Sequence, residues 1–336
     1  MLARYSLLES ICKELLNTSS EKEEVSIAAT LASHYQDLLE ASSRASDYAD
    51  TVPTHLDGGI ALSSQHALDC LKDPLRTIRF IKATYQAILE SLERFPNDKL
   101  ELVYAGCGPA APIILPLLSL FEPTQLSITL LDINTSSIQS VSALIDALGA
   151  QDFFRAVHLE DAIQYVHPSG LPLHIVVSET MDKALTKEPQ VRITQNLASQ
   201  LTENGILIPE SIDIYLEHSF YSKEPYFDIY KNVLELGPPY LSRDKQFLFS
   251  ITKGLQNHVE FEFTSDLMSL PTDFNDTPDI CIYAEISIFR DQRLTKSKSL
   301  ISNPYCVTSL FNLRSKSYKL YYSTKDIPNW SYIEDN

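Results

Sequence analysis

The chain changes its hydrophobic period near Pro209, and that change limits its fold more than any other feature. Between Lys99 and Ile208 short apolar runs alternate with helical patterns. L-E-L-V-Y-A after Lys99, L-S-I-T-L-L-D ending on Asp132, F-F-R-A-V-H-L over 153–159 and the run from Leu173 to Val177 read as strands. Their unbroken apolar character marks strands covered on both faces, as in a parallel sheet. Helical spacing falls between them, over 136–148, 161–166 and 190–201, and an apolar helix is expected after G106-C-G-P-A. Such alternation predicts a parallel sheet with crossover helices. After G205-I-L-I-P the helices largely stop. Segments beginning at Ile212, Phe247, Val259, Ile280 and Tyr318 alternate with period two, separated by turn-rich stretches such as 270–278. That pattern predicts an antiparallel sheet or barrel. A helical excursion is expected over 221–234.

Upstream of the sheet the pattern is helical. Leu2, Tyr5, Leu8, Ile11, Cys12 and Leu15 fall at helical spacing, and Val25, Ala28, Leu31, Tyr35 and Leu38 repeat it. Ser20 followed by Glu23 offers a capping box between the two segments. Glu and Lys interrupt the first segment, which therefore reads as a helix and not as a signal peptide. Residues 46–64 lose periodicity and contain Pro53 and Gly58-Gly59, so a loop or hinge is expected there. Helices follow over 64–72 and 74–94, with Pro74 suited to a first turn. The expected organisation is an N-terminal helical hairpin and hinge over 1–63, an α/β Rossmann-like sheet domain over 64–208 and a β-barrel domain over 209–336.

Composition narrows the partners. The formal net charge is -17, which argues against a nucleic-acid ligand, because phosphate binding needs a basic face. It suits a cationic substrate or plain solubility. No run of eighteen apolar residues suggests a membrane span. Five cysteines without a C-x-x-C suit reduced thiols in the cytoplasm and suggest neither a disulfide framework nor a metal site.

The residues with the strongest chemical implication are Glu179 and Glu188. They sit nine positions apart in S178-E-T-M-D-K-A-L-T-K-E188, directly after a buried strand. Open α/β sheets bind ligands at strand C-termini. Two carboxylates facing one pocket repel unless a cation lies between them, and a planar guanidinium suits that place. Solvated loop carboxylates are the plain alternative. Gly106 and Gly108 open a second loop where backbone can approach a ligand, and Asp132 stands at the next strand's end. A turn glycine pair with a helix-capping Asp is the alternative there. Cys107 reads as a small filler. His55 and His66 fit ordinary polar roles, and the aromatics of Y318-K-L-Y-Y and Trp330 read as barrel packing.

On these motifs the chain resembles the class I S-adenosylmethionine-dependent methyltransferases, and within them the protein arginine methyltransferases. L71-K-D-P-L-R-T resembles the family's segment before the sheet. L102-V-Y-A-G-C-G-P-A resembles its glycine motif, with Tyr104 where the family is acidic and Ala110 in place of a third glycine. S178-E-T-M with Glu188 matches its double-glutamate loop, and N204-G-I-L-I-P matches the entry to its barrel. I280-C-I-Y-A-E-I-S-I-F resembles a barrel strand pair. The likeness runs over roughly 65–336.

The resemblance implies a Rossmann-like methyltransferase sheet followed by a β-barrel, S-adenosyl-L-methionine as cofactor and a homodimer. By the same likeness Arg76 pairs with the cofactor's carboxylate, where a solvated helix-surface arginine is the plain reading. Gly106 and Gly108 line the cofactor, Asp132 holds its ribose, and Glu160 or Asp161 lies by its adenine. Glu179 and Glu188 clamp the acceptor guanidinium, with Met181 beside them. Two departures stand out: no T-H-W segment in the barrel half and no paired-tyrosine helix before residue 65. They favour free L-arginine as acceptor over protein-bound arginine. A cofactor-binding scaffold without catalysis is the reading of another class, and an O- or N-methyltransferase for a different small acceptor is a third.

Overall fold

The computed structural model describes residues 2–41, 51–221, 245–255, 260–270 and 278–335, with side chains from Ser6 onward. Helix α1 spans Leu2–Asn17 and α2 spans Glu21–Ala41. A small hairpin, β1 (Thr54–Leu56) and β2 (Gly59–Ala61), follows. Then come α3 (Ser64–Asp69), a single 3-10 turn over Cys70–Lys72, and α4 (Pro74–Arg94) with Pro74 in its first turn. The sheet half contains β3 (Leu100–Ala105), β4 (Leu126–Asp132), α5 (Thr135–Leu148), β5 (Phe154–Leu159), β6 (Leu173–Ser178), α6 (Gln190–Ala198) and β7 (Leu201–Ile208).

These five strands form one parallel sheet in the order β5-β4-β3-β6-β7. Every residue of β3, β4 and β6 is buried, as expected of central parallel strands. Chain order reverses direction on either side of β3. The C-terminal ends of β3 and β6 therefore flank the crevice where such sheets bind ligands.

Past Pro209 all pairing among the described residues is antiparallel. Strand β8 (Ser211–Ser219) lies between β9 (Gln246–Thr252) and β12 (Asp279–Phe289), which also pairs with β13 (Gln292–Leu294) and β14 (Tyr305–Ser309). A second sheet gathers β10 (Glu262–Thr264), β11 (Met268–Ser269) and β16 (Asn329–Glu334) around β15 (Ser317–Ser323). Together they make a β-barrel-like body. Among the described residues no helix is long and apolar enough to cross a membrane.

Several expectations fail locally. The helix expected after the glycine motif is replaced by turns and a 3-10 stretch over Leu115–Leu120. Pro112 and Pro116 each remove an amide donor and forbid a continuous helix. Residues 161–166 form a turn, because the Asp161 carboxylate accepts the Ile163 N–H at 2.9 Å. Helix α6 stops at Ala198, and Leu201 already belongs to β7. The expected hinge contains the β1–β2 hairpin. The excursion beyond Tyr221, the side chains of Leu2 and Tyr5, Val259 and the turn at 271–277 fall outside the described residues or side chains.

The N-terminal hairpin packs Leu8, Ile11, Cys12, Leu15, Leu31 and Tyr35 into the main core. Val25 is exposed, and its neighbour Glu24 is the residue turned inward, fully buried. Lys82 Nζ lies 2.6 Å and Arg79 2.9 Å from the Glu24 carboxylate. Lys82 also donates to the Thr18 carbonyl at 2.6 Å. Both cations belong to α4, so a three-charge knot ties the hairpin to that helix. The capping box is half formed: the Glu23 N–H reaches Ser20 Oγ at 3.5 Å, while the Glu23 carboxylate accepts from Thr18 instead.

Candidate active site

A cleft with a cavity volume of about 110 Å³, open to solvent, lies at the C-terminal ends of β3 and β6. Arg76, Gly106, Gly108, Asp132, Glu160, Asp161, Glu179 and Glu188 all line it. One expected residue does not. Met181 is 2 % exposed and packs into the core.

The glycine loop is shaped by its own residues. Gly106 has φ +69°, and a Cβ there would meet Thr180 Cγ2 at 2.3 Å. Gly108 also has positive φ. Such a backbone suits glycine and lets the chain pass close to a ligand. Asp132 faces the cleft and braces this loop: one carboxylate oxygen accepts the Gly108 N–H and the other the Asn134 N–H, each at 2.9 Å. Burial pushes its pKa up, and these amides partly offset that. Tyr104 is buried at the cleft floor and Cys107 is buried beside it. Burial raises the Cys107 thiol well above the ordinary range, so it stays protonated and unreactive.

The loop after β6 is the more unusual part. Glu179 is 8 % exposed, and one carboxylate oxygen accepts a charge-assisted hydrogen bond from the Arg76 guanidinium. Its other oxygen, Oε1, is buried and has no hydrogen-bond partner among the described residues. The arginine expected to hold a cofactor carboxylate thus engages, in this structure, the glutamate expected to clamp an acceptor. Glu188 is half-buried in the same cleft. Burial lifts its pKa from 4.5 to about 7, with the Arg76 charge acting against the rise. One guanidinium therefore lies within electrostatic reach of both loop carboxylates.

Three of the residues between them adopt a conformation that L-residues avoid. Ala184, Leu185 and Lys187 have φ of 53°, 59° and 63°. Each costs about 1–2 kcal/mol relative to a right-handed backbone. Distant segments hold them. At the base, the buried Gln190 carboxamide oxygen accepts the Thr180 N–H at 2.9 Å and its hydroxyl at 3.0 Å. On one side the Ile60 N–H of β2 donates to the Lys187 carbonyl at 2.8 Å. Gly59 is pressed so near that a Cβ would lie 2.8 Å from Pro189 N. On the other side, the barrel contributes the Tyr322 hydroxyl to the Leu185 carbonyl and the Trp330 indole N–H to the Ala184 carbonyl, both at 2.9 Å. The Lys187 N–H is bonded to the Pro328 carbonyl at 2.8 Å.

Sequence reasoning did not find Gln190, Tyr322 or Trp330. Their partners are backbone carbonyls and amides up to 146 positions away, and no local spacing encodes such contacts. Asp73, 5 % exposed, is a further such contact: it accepts from the Ser299 hydroxyl at 2.7 Å and the Leu300 N–H at 2.8 Å. That pins a barrel loop to the start of α4, three positions before Arg76 enters the cleft wall.

Comparison with solved structures places this architecture. The chain superposes on a crystal structure of PRMT6 with a TM-score of 0.57 at 11% identity, over 80% of this chain and 99% of that one. The chain has the arginine-methyltransferase fold. Against the Arabidopsis thaliana protein arginine methyltransferase 10 the TM-score is 0.52, again at 11% identity, with 80% and 98% of the two chains covered. No protein-family model and no curated protein matches the sequence. That fold places the Rossmann-like sheet before the barrel, as in this molecule.

Proposed function

We propose that this chain is an S-adenosylmethionine-dependent N-methyltransferase whose acceptor is the guanidino group of a protein-bound arginine. One observation carries the reading. A cleft carboxylate, Glu179, already binds a guanidinium through one oxygen, keeps a second buried oxygen without a hydrogen-bond partner among the described residues, and shares the cleft with a second carboxylate, Glu188. That is a site built for a planar, multiply donating cation.

The cleft residues also fit the cofactor. Two positive-φ glycines bring backbone close, Asp132 presents a carboxylate at the end of β4, and Glu160 and Asp161 follow β5. Arg76 supplies the cation for a carboxylate. Residues 64–208 would hold the cofactor and 209–336 would wall the acceptor. When bound, S-adenosylmethionine supplies an electrophilic methyl group on sulfur.

The protein's work is alignment and charge. Methyl transfer needs nitrogen, methyl and sulfur in line more than it needs a strong base. Glu179 and Glu188 would orient the guanidinium by charge-assisted bonds and draw its positive charge toward the bound nitrogens, leaving the reacting nitrogen more nucleophilic. Glu188, with a pKa near 7, is suited to accept the proton released as product forms.

Protein-bound arginine is preferred over free arginine because the superposable Arabidopsis thaliana protein is itself named a protein arginine methyltransferase. The test is mass spectrometry after incubation with S-adenosylmethionine and either an arginine-rich peptide or free L-arginine. Methyl gain on the peptide is expected. Gain on free arginine alone would overturn the acceptor choice. Absence of gain on either, with cofactor still bound, would overturn the activity.

A further inference from the structure

We propose that the last hairpin of the barrel, β15–β16, is a positioning device for the acceptor clamp: Tyr322 and Trp330 hold the turn that carries Glu188. This rests on the methyltransferase reading of the site for its consequence, though not for its geometry.

The argument begins with strain. Ala184, Leu185 and Lys187 each sit in the left-handed region, with no glycine to ease the turn. Such a conformation persists only where surroundings over-determine it. The surroundings here are specific. Trp330 Nε1 reaches the Ala184 carbonyl and the Tyr322 hydroxyl reaches the Leu185 carbonyl, both at 2.9 Å. Each bond ends on a strained residue, and Glu188 follows within three positions of Leu185. The two donors are themselves fixed. Tyr322 and Trp330 pack with ring centroids 4.9 Å apart and planes tilted by 44°, and Phe249 packs on both. Tyr322 is fully buried and Trp330 is 6 % exposed. Neither lines the cleft, so each acts through the turn and not on the acceptor. A polar tip on a rigid aromatic body suits this task, because the ring supplies packing and the tip supplies one directed bond.

The decisive comparison is Tyr322→Phe against Tyr318→Phe. Tyr318 lies on the same strand, is equally buried, and spends its hydroxyl on His218 Nε2 at 2.7 Å, away from the loop. Both variants lose one buried hydroxyl, and their melting temperatures should fall similarly. In Tyr322→Phe the acceptor KM should rise about tenfold, since small misplacement of a reacting group is costly. Affinity for S-adenosylhomocysteine should stay unchanged, and the acidic limb of kcat/KM should shift. In Tyr318→Phe acceptor KM and the acidic limb should not move. Trp330→Phe should behave like Tyr322→Phe. Amide hydrogen exchange at 185–187 gives a readout free of activity: it should quicken in Tyr322→Phe and not in Tyr318→Phe. Matching acceptor constants in the two tyrosine variants, or matching exchange, would overturn the proposal. If the wild-type protein methylates no guanidine at all, the reading of the site falls, and amide exchange alone then decides whether the hairpin holds the turn.

Discussion

The two loops that meet in the cleft are built in opposite ways. The loop after β3 takes its shape from residues within it and one strand away: Gly106 and Gly108 accept positive φ, and Asp132 ties down the Gly108 amide. The loop after β6 takes positive φ at Ala184, Leu185 and Lys187, residues that resist it, and is held by β2, β15 and β16. One conformation is encoded locally. The other is imposed by tertiary contacts. A locally encoded loop tolerates change elsewhere, whereas an imposed loop transmits it.

The largest expected effect breaks the second loop chemically. Glu179→Gln should lower turnover by about a hundredfold or more, as loss of a preorganised charge partner does, while cofactor affinity measured by calorimetry persists. Near-normal turnover would remove the clamp from the mechanism.

Next, the first loop can be broken by one methyl group. Gly106→Ala meets both an unfavourable φ and Thr180 Cγ2 at 2.3 Å. Cofactor affinity should fall by at least about tenfold, the equivalent of roughly 1.4 kcal/mol. An unchanged dissociation constant would show that this backbone does not meet the cofactor.

A third test uses pH. The Glu188 pKa is raised from 4.5 to about 7 by burial. Its carboxylate is needed for the clamp, so acceptor kcat/KM should climb through pH 7 and level above it. Stability runs the other way. An acid whose pKa rises on folding holds more protons in the folded state between the two values. Stability should therefore fall as pH rises from about 4.5 to about 7 and stay lower beyond. Glu188→Gln should erase this slope in thermal melts across that window and leave residual activity without the limb.

The smallest effect sharpens the contrast. Lys187 is exposed and pairs with Asp182 at 2.9 Å, an arrangement of little worth in solvent. Its φ of 63° is the cost. Lys187→Gly should raise the melting temperature by about 2 °C or less, through relief of strain partly offset by chain entropy. A clear fall would mean that the ion pair outweighs the strain.

The same division explains what could be read from residues alone. Strands β3, β4 and β6 were legible because total burial leaves continuous apolar runs, and the barrel because half-burial leaves alternation. The cleft residues were legible for a related reason: Gly106, Asp132 and Glu179 each sit where a strand ends, and strand ends are readable. Failures cluster where a local signal met a stronger one. Pro112 and Pro116 overrode the apolar helix expected after the glycines. The Asp161 carboxylate closed a turn where helical spacing suggested another winding. Glu24 displaced Val25 from the interior because Lys82 and Arg79 waited there, a fact held 58 residues away on α4. Tyr322 and Trp330 read as packing because nothing beside them names the carbonyls they reach.

The Glu24 knot carries a practical consequence for anyone trimming this protein. Arg79 and Lys82 are arranged to meet an anion that arrives from the hairpin, and Lys82 is only 8 % exposed. A shortened version beginning after Ala41 would take away the carboxylate that both cations meet and bare to water the apolar surface that Leu31 and Tyr35 cover. The same helix begins with the arginine that grips Glu179. What looks like a detachable preface is the counterweight on which the Arg76 helix rests.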